Sequence, residues 1–363
     1  MTAIEQVTGD GELGVIPEGR KDLQSPNEVR WCPGCGDYVI LATIQSALPA
    51  MQVPRERMVF LSGIGCAARF PYYMESYGLH SIHGRAPALA TGLALTRPDL
   101  HVFVVTGDGD ALAIGGNHLI HALRRNVNMT ILMFNNQVYG LTKGQYSPTS
   151  RVDQRTASTP YGVPDHPFNP ISLALGAEAT FVARTLDNDR QTLGEVLDAA
   201  ANHRGAAFVE IYQNCNVFND GAFDAVRDKK EGAANRIELR HGEPIRFGAD
   251  HERGVYWGDN GALEIGEVDE RGDDGLVVHD AERADPGLAF ALSRLAHTPT
   301  GPTPMGIFRR IEHEPTHRER MATRESADGP ALDELVVGRD SWVVDADGDS
   351  QAGRPTSAGG SAD

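Results

Sequence analysis

The run Val104-Val105-Thr106-Gly107-Asp108-Gly109 places an aspartate between two glycines at the end of an apolar stretch. A glycine turn after a strand commonly approaches a phosphate through backbone N–H groups. A carboxylate there repels that phosphate unless a cation stands between them. Asn135-Asn136 closes the next apolar run. In open parallel sheets, ligands bind beyond the carboxyl ends of the strands. The Asp108 and Asn136 side chains can then meet on one hard cation such as Mg²⁺, which takes oxygen ligands and bridges to phosphate. Two other readings stand beside this one. A dinucleotide fingerprint needs a glycine at position 112, which is Leu112. A tight strand-to-helix turn capped by Asp108 needs no ligand at all.

The chain has four cysteines, Cys32, Cys35, Cys66 and Cys215, spaced C-x2-C-x30-C-x148-C. A chain without targeting signals points to a reducing compartment, where metal or redox chemistry is favoured over disulfides. Four thiolates suit zinc or an iron–sulfur cluster. Structural zinc more often takes two close pairs, and only one pair is close here. Unliganded buried thiols are the third possibility. Each cysteine-bearing loop follows a strand or precedes a helix, on the side where the glycine–aspartate turn lies.

These groups need a frame. From about residue 31 to 215, short apolar runs (57–62, 101–107, 127–136, 179–184, 206–212) alternate with helical patterns (85–98, 115–126, 192–204). That alternation predicts an α/β fold, a mostly parallel sheet covered by helices on both faces. Residues 1–30 read as an irregular arm and 31–220 as the α/β domain. Residues 221–344 read as an irregular C-terminal extension running over the surface, with one helix at 286–296 and a role in subunit contact. Residues 345–363 read as a disordered tail.

The balance of 33 basic against 50 acidic residues gives a net charge of −17, which argues against nucleic acid as a partner. No apolar run reaches membrane-spanning length, and the first residues lack a signal-peptide pattern. A cytoplasmic protein with no membrane partner is the expectation.

GDG followed by NN resembles the motif of the thiamine-diphosphate enzymes. That resemblance implies Mg²⁺ held by Asp108, Asn136 and the carbonyl of Val138. It also implies a second domain, on a partner subunit, that holds the pyrimidine end and supplies the activating glutamate. A narrower resemblance covers about residues 28–220. CPGCG (32–36), GIGC (63–66), HGRA (83–86), GDGDALAIGGNH (107–118), NNQVYGLTKGQ (135–145) and a late cysteine after a strand look like the beta subunit of 2-oxoacid:ferredoxin oxidoreductases. "TPMGIFRR" (303–310) is similar to a late segment of that family.

The family resemblance implies one [4Fe–4S] cluster on Cys32, Cys35, Cys66 and Cys215. It implies an alpha subunit in a heterotetramer, ferredoxin as electron acceptor, and coenzyme A as acyl acceptor. In this class the thiazolium ring is an electron sink for decarboxylation of a 2-oxoacid, and a neighbouring cluster removes electrons singly. By matching, Ile64, Gly65, Cys66 and Ala67 wrap the cofactor, and Gly107, Gly109 and Asp110 follow its diphosphate. Gly140 and Leu141 close over it. His83 lies against cofactor or substrate, and Arg69 faces a phosphate or a carboxylate; each is otherwise an ordinary surface or core residue. Lys143 reaches the mouth of the site, where it pairs with the second carboxylate of 2-oxoglutarate. Pyruvate or branched-chain 2-oxoacids are the alternatives, as is a non-redox thiamine-diphosphate lyase subunit. His118 and His121 read as partly buried helix residues rather than a metal pair.

Overall fold

A computed structural model of the chain describes residues 14–228, 230–295, 301–322, 342–344 and 350–352. Five strands carry near-continuous apolar sequence: β1 (Met58–Ser62), β3 (His101–Gly107), β4 (Met129–Asn135), β5 (Phe181–Leu186) and β6 (Ala206–Tyr212). Such sequence demands burial on both faces. β2 (Tyr77–His80), β7 (Arg236–Leu239) and β11 (Thr303–Arg310) complete an eight-stranded sheet in the order β2-β1-β3-β4-β6-β5-β11-β7. Every pairing is parallel except β11 against β5.

Side chains alternate between the faces, as the strand period of two requires. Val102 and Val104 of β3 enter one core with α2 (Ala86–Thr96), α4 (Gly116–Arg124) and α5 (Pro170–Gly176). Phe103 and Val105 enter the other with α1 (Asp37–Ala47) and α6 (Arg190–Asn202). Between β3 and α4 a short helix, α3, covers Asp108–Leu112. A smaller antiparallel sheet of β8 (Arg246–Phe247), β9 (Arg253–Trp257) and β10 (Leu263–Glu267) packs onto the first core through Phe247 and Val255.

The chain after 220 departs from the expected surface excursion, because β7 and β11 are strands of the main sheet. β5 would otherwise expose the edge of a fully buried strand, and β11 covers it. The expected helix is present over Gly287–Arg294. Residues 14–30 of the arm are anchored, since Leu23 is fully buried and its carbonyl accepts from Gln45 Nε2 and Glu75 N; residues 1–13 lie outside the described residues. Residues 318–363 form a separate compact unit. Within it, Ser350–Ala352 pairs antiparallel with Trp342–Val344, so this part of the expected tail is a strand. The rest of 345–363 lies outside the described residues.

Candidate active site

β1, β3, β4 and β6 are successive neighbours in the sheet, and their carboxyl ends feed four loops. These are the GIGC loop, the GDG turn, the NN turn and the loop that carries Cys215. Together with the HGRA turn, three of them close one cleft of about 100 Å³. Ile64, Gly65, Cys66, Ala67, His83, Gly107, Asp108, Gly109, Asp110, Asn136, Val138, Gly140 and Leu141 all line it.

Asp108 is 2% exposed, and its Oδ2 accepts from Ser147 Oγ and from Thr149 Oγ1. Burial pushes this carboxyl up to about 6 despite both hydroxyls. A carboxylate held out of water in this way favours a cation beside it. Gly109 must be glycine, because a Cβ there would lie 2.2 Å from the Tyr139 ring. The Tyr139 hydroxyl in turn donates to Gly109 O at 3.1 Å, tying the two turns together.

The two asparagines part company. Asn136 lines the cleft, its Oδ1 accepting from Val138 N at 3.2 Å. Asn135 is buried and turns inward, its Nδ2 donating to Glu210 Oε1 at 2.7 Å. Between them and Val138, Gln137 takes a left-handed φ of +56°.

Asp110 lines the cleft and also fastens the loops around it. Its Oδ1 accepts from Ile64 N at 3.2 Å and Gly84 N at 2.8 Å, and its Oδ2 from Thr106 Oγ1 at 2.8 Å. His83 Nδ1 lies 2.6 Å from the same Oδ1. Two residues apart on a helix point to nearly opposite sides. Asp108 therefore faces the cleft floor while Asp110 holds two loops. A Cβ at Gly63 would lie 2.1 Å from Asp110 Oδ2, so this loop approaches too closely for any larger residue.

The four cysteines are all free. Gly140 stands between two of them, its Cβ direction 3.5 Å from Cys66 Sγ and 3.7 Å from Cys215 Sγ. Burial pushes the Cys35 thiol far up, and charge on Asp37, Cys215 and Cys66 adds to this. Burial and charge on Asp37, Cys215 and Cys32 push Cys66 up to about 12, against the pull of Arg69. Cys35 Sγ also accepts from Gln213 Nε2 at 3.3 Å. Among the described residues, no three His, Cys, Asp or Glu side chains converge on one ion. Charge on neighbouring thiols acts on both Cys35 and Cys66, so the four cysteines gather in one region of the molecule. Cys66 belongs both to this group and to the cleft.

Arg69 and Lys143 are not part of the cleft lining. Arg69 Nε donates to Tyr73 Oη at 3.1 Å, and its charge acts on Cys66. Lys143 is exposed in a left-handed turn (φ +76°) that begins at Gly140. His118 is half-buried and His121 exposed, away from the cleft.

The family of thiamine pyrophosphate enzymes, C-terminal TPP-binding domain, matches residues 63–211. The 2-oxoglutarate oxidoreductase subunit KorB of Mycobacterium tuberculosis is 61% identical over 337 residues, 91% of this chain and 89% of that one. The chain belongs to the 2-oxoacid:ferredoxin oxidoreductase beta subunits. The beta subunit of 2-oxoacid:ferredoxin oxidoreductase 1 of Aeropyrum pernix is 45% identical, over 52% of this chain and 60% of its own. A solved 2-oxoglutarate:ferredoxin oxidoreductase from Magnetococcus marinus, with 2-oxoglutarate, coenzyme A and succinyl-CoA bound, superposes with a TM-score of 0.70 at 33% identity. That superposition covers 88% of this chain and 95% of that chain. The parallel sheet is the thiamine-diphosphate-binding fold of this oxidoreductase family. No helix among the described residues is long and apolar enough to cross a membrane.

Sequence reasoning missed several residues of this family member's site. Ser147 and Thr149 hold Asp108, and Glu210 with Arg184 backs Asn135. Asp37 lines the cleft, fully buried, and burial pushes its carboxyl up to about 7. A signal existed for one pair. Arg184 and Glu210 are the lone charges in the apolar runs FVARTL and AAFVEIY, and they fall in register on adjacent strands.

Proposed function

We propose that this chain is the beta subunit of an enzyme that oxidatively decarboxylates a 2-oxoacid, 2-oxoglutarate before pyruvate or branched-chain acids, to an acyl-CoA. Electrons leave to ferredoxin. The observation that carries the reading is that Cys66 is shared between the cofactor cleft and the group of four thiols. Thiamine diphosphate supplies an electron sink for loss of CO₂, and a [4Fe–4S] cluster beside it supplies a one-electron outlet. Asp108, Asn136 and the Val138 carbonyl would hold Mg²⁺ against the diphosphate, with Gly107 and Gly109 following it. The Ile64–Ala67 loop and Gly140-Leu141 would enclose the thiazolium end and keep water from it.

His83 is 39% exposed and its Nδ1 lies against Asp110, which aims the other ring nitrogen at the cleft mouth. Asp110 sets the shape of the loops on either side of His83 and Ile64. Arg69 favours ionised thiols by its charge rather than by touching substrate. Lys143 supplies a cation at the entrance for the second carboxylate of 2-oxoglutarate. An alpha subunit carries the pyrimidine-binding half and the activating glutamate.

The test is CoA-dependent reduction of ferredoxin by the complex purified without oxygen. The expected result is a higher kcat/KM for 2-oxoglutarate than for pyruvate. Turnover without any electron acceptor, or none with any 2-oxoacid, would overturn the reading.

A further inference from the structure

A continuous path of buried polar contacts runs from the middle of the sheet to the cleft floor. Arg184 on β5 and Glu210 on β6 are both inaccessible to solvent, and Arg184 Nε donates to Glu210 Oε2 at 2.7 Å. The guanidinium also stacks over Tyr212, 5.1 Å from its centroid. The other Glu210 oxygen accepts from Asn135 Nδ2. Asn135 Oδ1 accepts from Gln137 N at 3.2 Å and lies 2.9 Å from Thr149 Oγ1, whose single proton points to the nearer Asp108. Thr149 Oγ1 also lies 2.6 Å from Asp108 Oδ2.

A carboxylate paired with arginine only accepts hydrogen bonds. Glu210 therefore dictates which way the Asn135 amide faces: donor toward Glu210, acceptor toward Gln137. Reversal would set two oxygens against each other and leave the Gln137 N–H facing an amide N–H. The Gln137 N–H held this way belongs to a non-glycine residue in left-handed backbone, which is costly unless its surroundings fix it. That turn sets where Asn136 and Val138 stand. We propose that Glu210 is a positioning residue for the cofactor cleft. It acts through Asn135 on the NN turn, and Arg184 is present to keep its charge inside the sheet. This inference rests on the reading that thiamine diphosphate and Mg²⁺ occupy the cleft.

The experiment compares two double variants in the purified complex. Arg184→Gln with Glu210→Gln replaces the ion pair by two amides that can bond each other, and leaves an acceptor for Asn135. Arg184→Met with Glu210→Leu replaces it by apolar side chains, a change buried ion pairs often tolerate, and removes that acceptor. Asn135→Ala cuts the path from the cleft side and keeps the ion pair. Folding is checked by thermal melting, and dissociation constants for Mg²⁺ and thiamine diphosphate are measured by calorimetry.

Residues that orient metal ligands typically change metal affinity by about 10–100-fold. That loss is expected in the apolar pair and in Asn135→Ala, with affinity close to wild type in the amide pair. A folded apolar pair, or Asn135→Ala, that binds like wild type overturns the inference. So does an amide pair as weak as the apolar one, since charge rather than the acceptor would then matter. A wild-type complex that binds neither ligand brings down the cofactor reading itself, and this inference with it.

Discussion

Removing the Asp110 carboxylate should unfasten the cleft without touching its floor. In Asp110→Ala the backbone N–H groups of Ile64 and Gly84 lose their acceptor, while Thr106 Oγ1 can turn to Gly107 O at 3.3 Å. A buried donor left unpaired costs about 1–3 kcal/mol, which applies in full to Gly84 N and in smaller part to the half-buried Ile64 N, so the loss is about 2–4 kcal/mol. That is a large share of the ~5–15 kcal/mol by which a folded domain is stable. Asp110→Asn keeps an oxygen for both N–H groups, and the Thr106 hydroxyl can reverse to accept from the new amide. Its expected cost is about 1 kcal/mol, the scale of one hydrogen bond. Urea unfolding gives the stabilities, and hydrogen exchange at the Ile64 and Gly84 amides locates the effect. Exchange at both should accelerate in the alanine variant before the sheet opens. An Asp110→Ala chain within 1 kcal/mol of wild type, or an asparagine variant as damaged as the alanine one, would refute this account of the loops.

Other consequences follow from the same geometry. Burial pushes Asp108 up to about 6 from its ordinary 3.8, so the folded chain keeps a proton that the unfolded chain releases. Stability should therefore fall as pH rises from about 4 to 6, by up to about 3 kcal/mol. Asp108→Asn should flatten that part of the curve, and an unchanged slope would contradict the burial argument. Gly109→Ala drives a methyl into the Tyr139 ring and should weaken thiamine diphosphate binding about 5–150-fold, since overpacking costs about 1–3 kcal/mol. Titration of the cofactor checks it, and Tyr139→Ala added to Gly109→Ala should relieve the clash. Lys143→Ala should raise KM for 2-oxoglutarate about 10–100-fold, the worth of a charge-assisted hydrogen bond, and leave pyruvate kinetics alone. Equal effects on both substrates would place Lys143 outside substrate recognition.

What the sequence made legible was local. GDG, NN and CPGCG are each a few residues long, and their chemistry follows from residue type. The strands β1, β3, β4 and β6 show as apolar runs because both faces are buried. β7 and β11 were hidden, since RIEL and TPMGIFRR mix charge, proline and glycine into strands near the edge of the sheet. The loop-holding contacts of Asp110 were hidden because adjacency to Asp108 in sequence conceals the turn of the helix between them. The Arg184–Glu210–Asn135 path spans strands 26 and 75 residues apart, and only the sheet register joins them. Ser147 and Thr149 escaped for the same reason, as loop hydroxyls brought back over Asp108 from 39 and 41 residues away.

In the proposed enzyme, four thiols and a thiamine-diphosphate cleft share Cys66 as one redox site. Iron, zinc and acid-labile sulfide, measured on the chain purified without oxygen together with its partner subunit, test it most directly. The account predicts about four iron and four sulfide per chain, as a four-cysteine cubane requires, and loss of both in Cys66→Ser. Zinc without sulfide, or iron retained in full after Cys66→Ser, would contradict it.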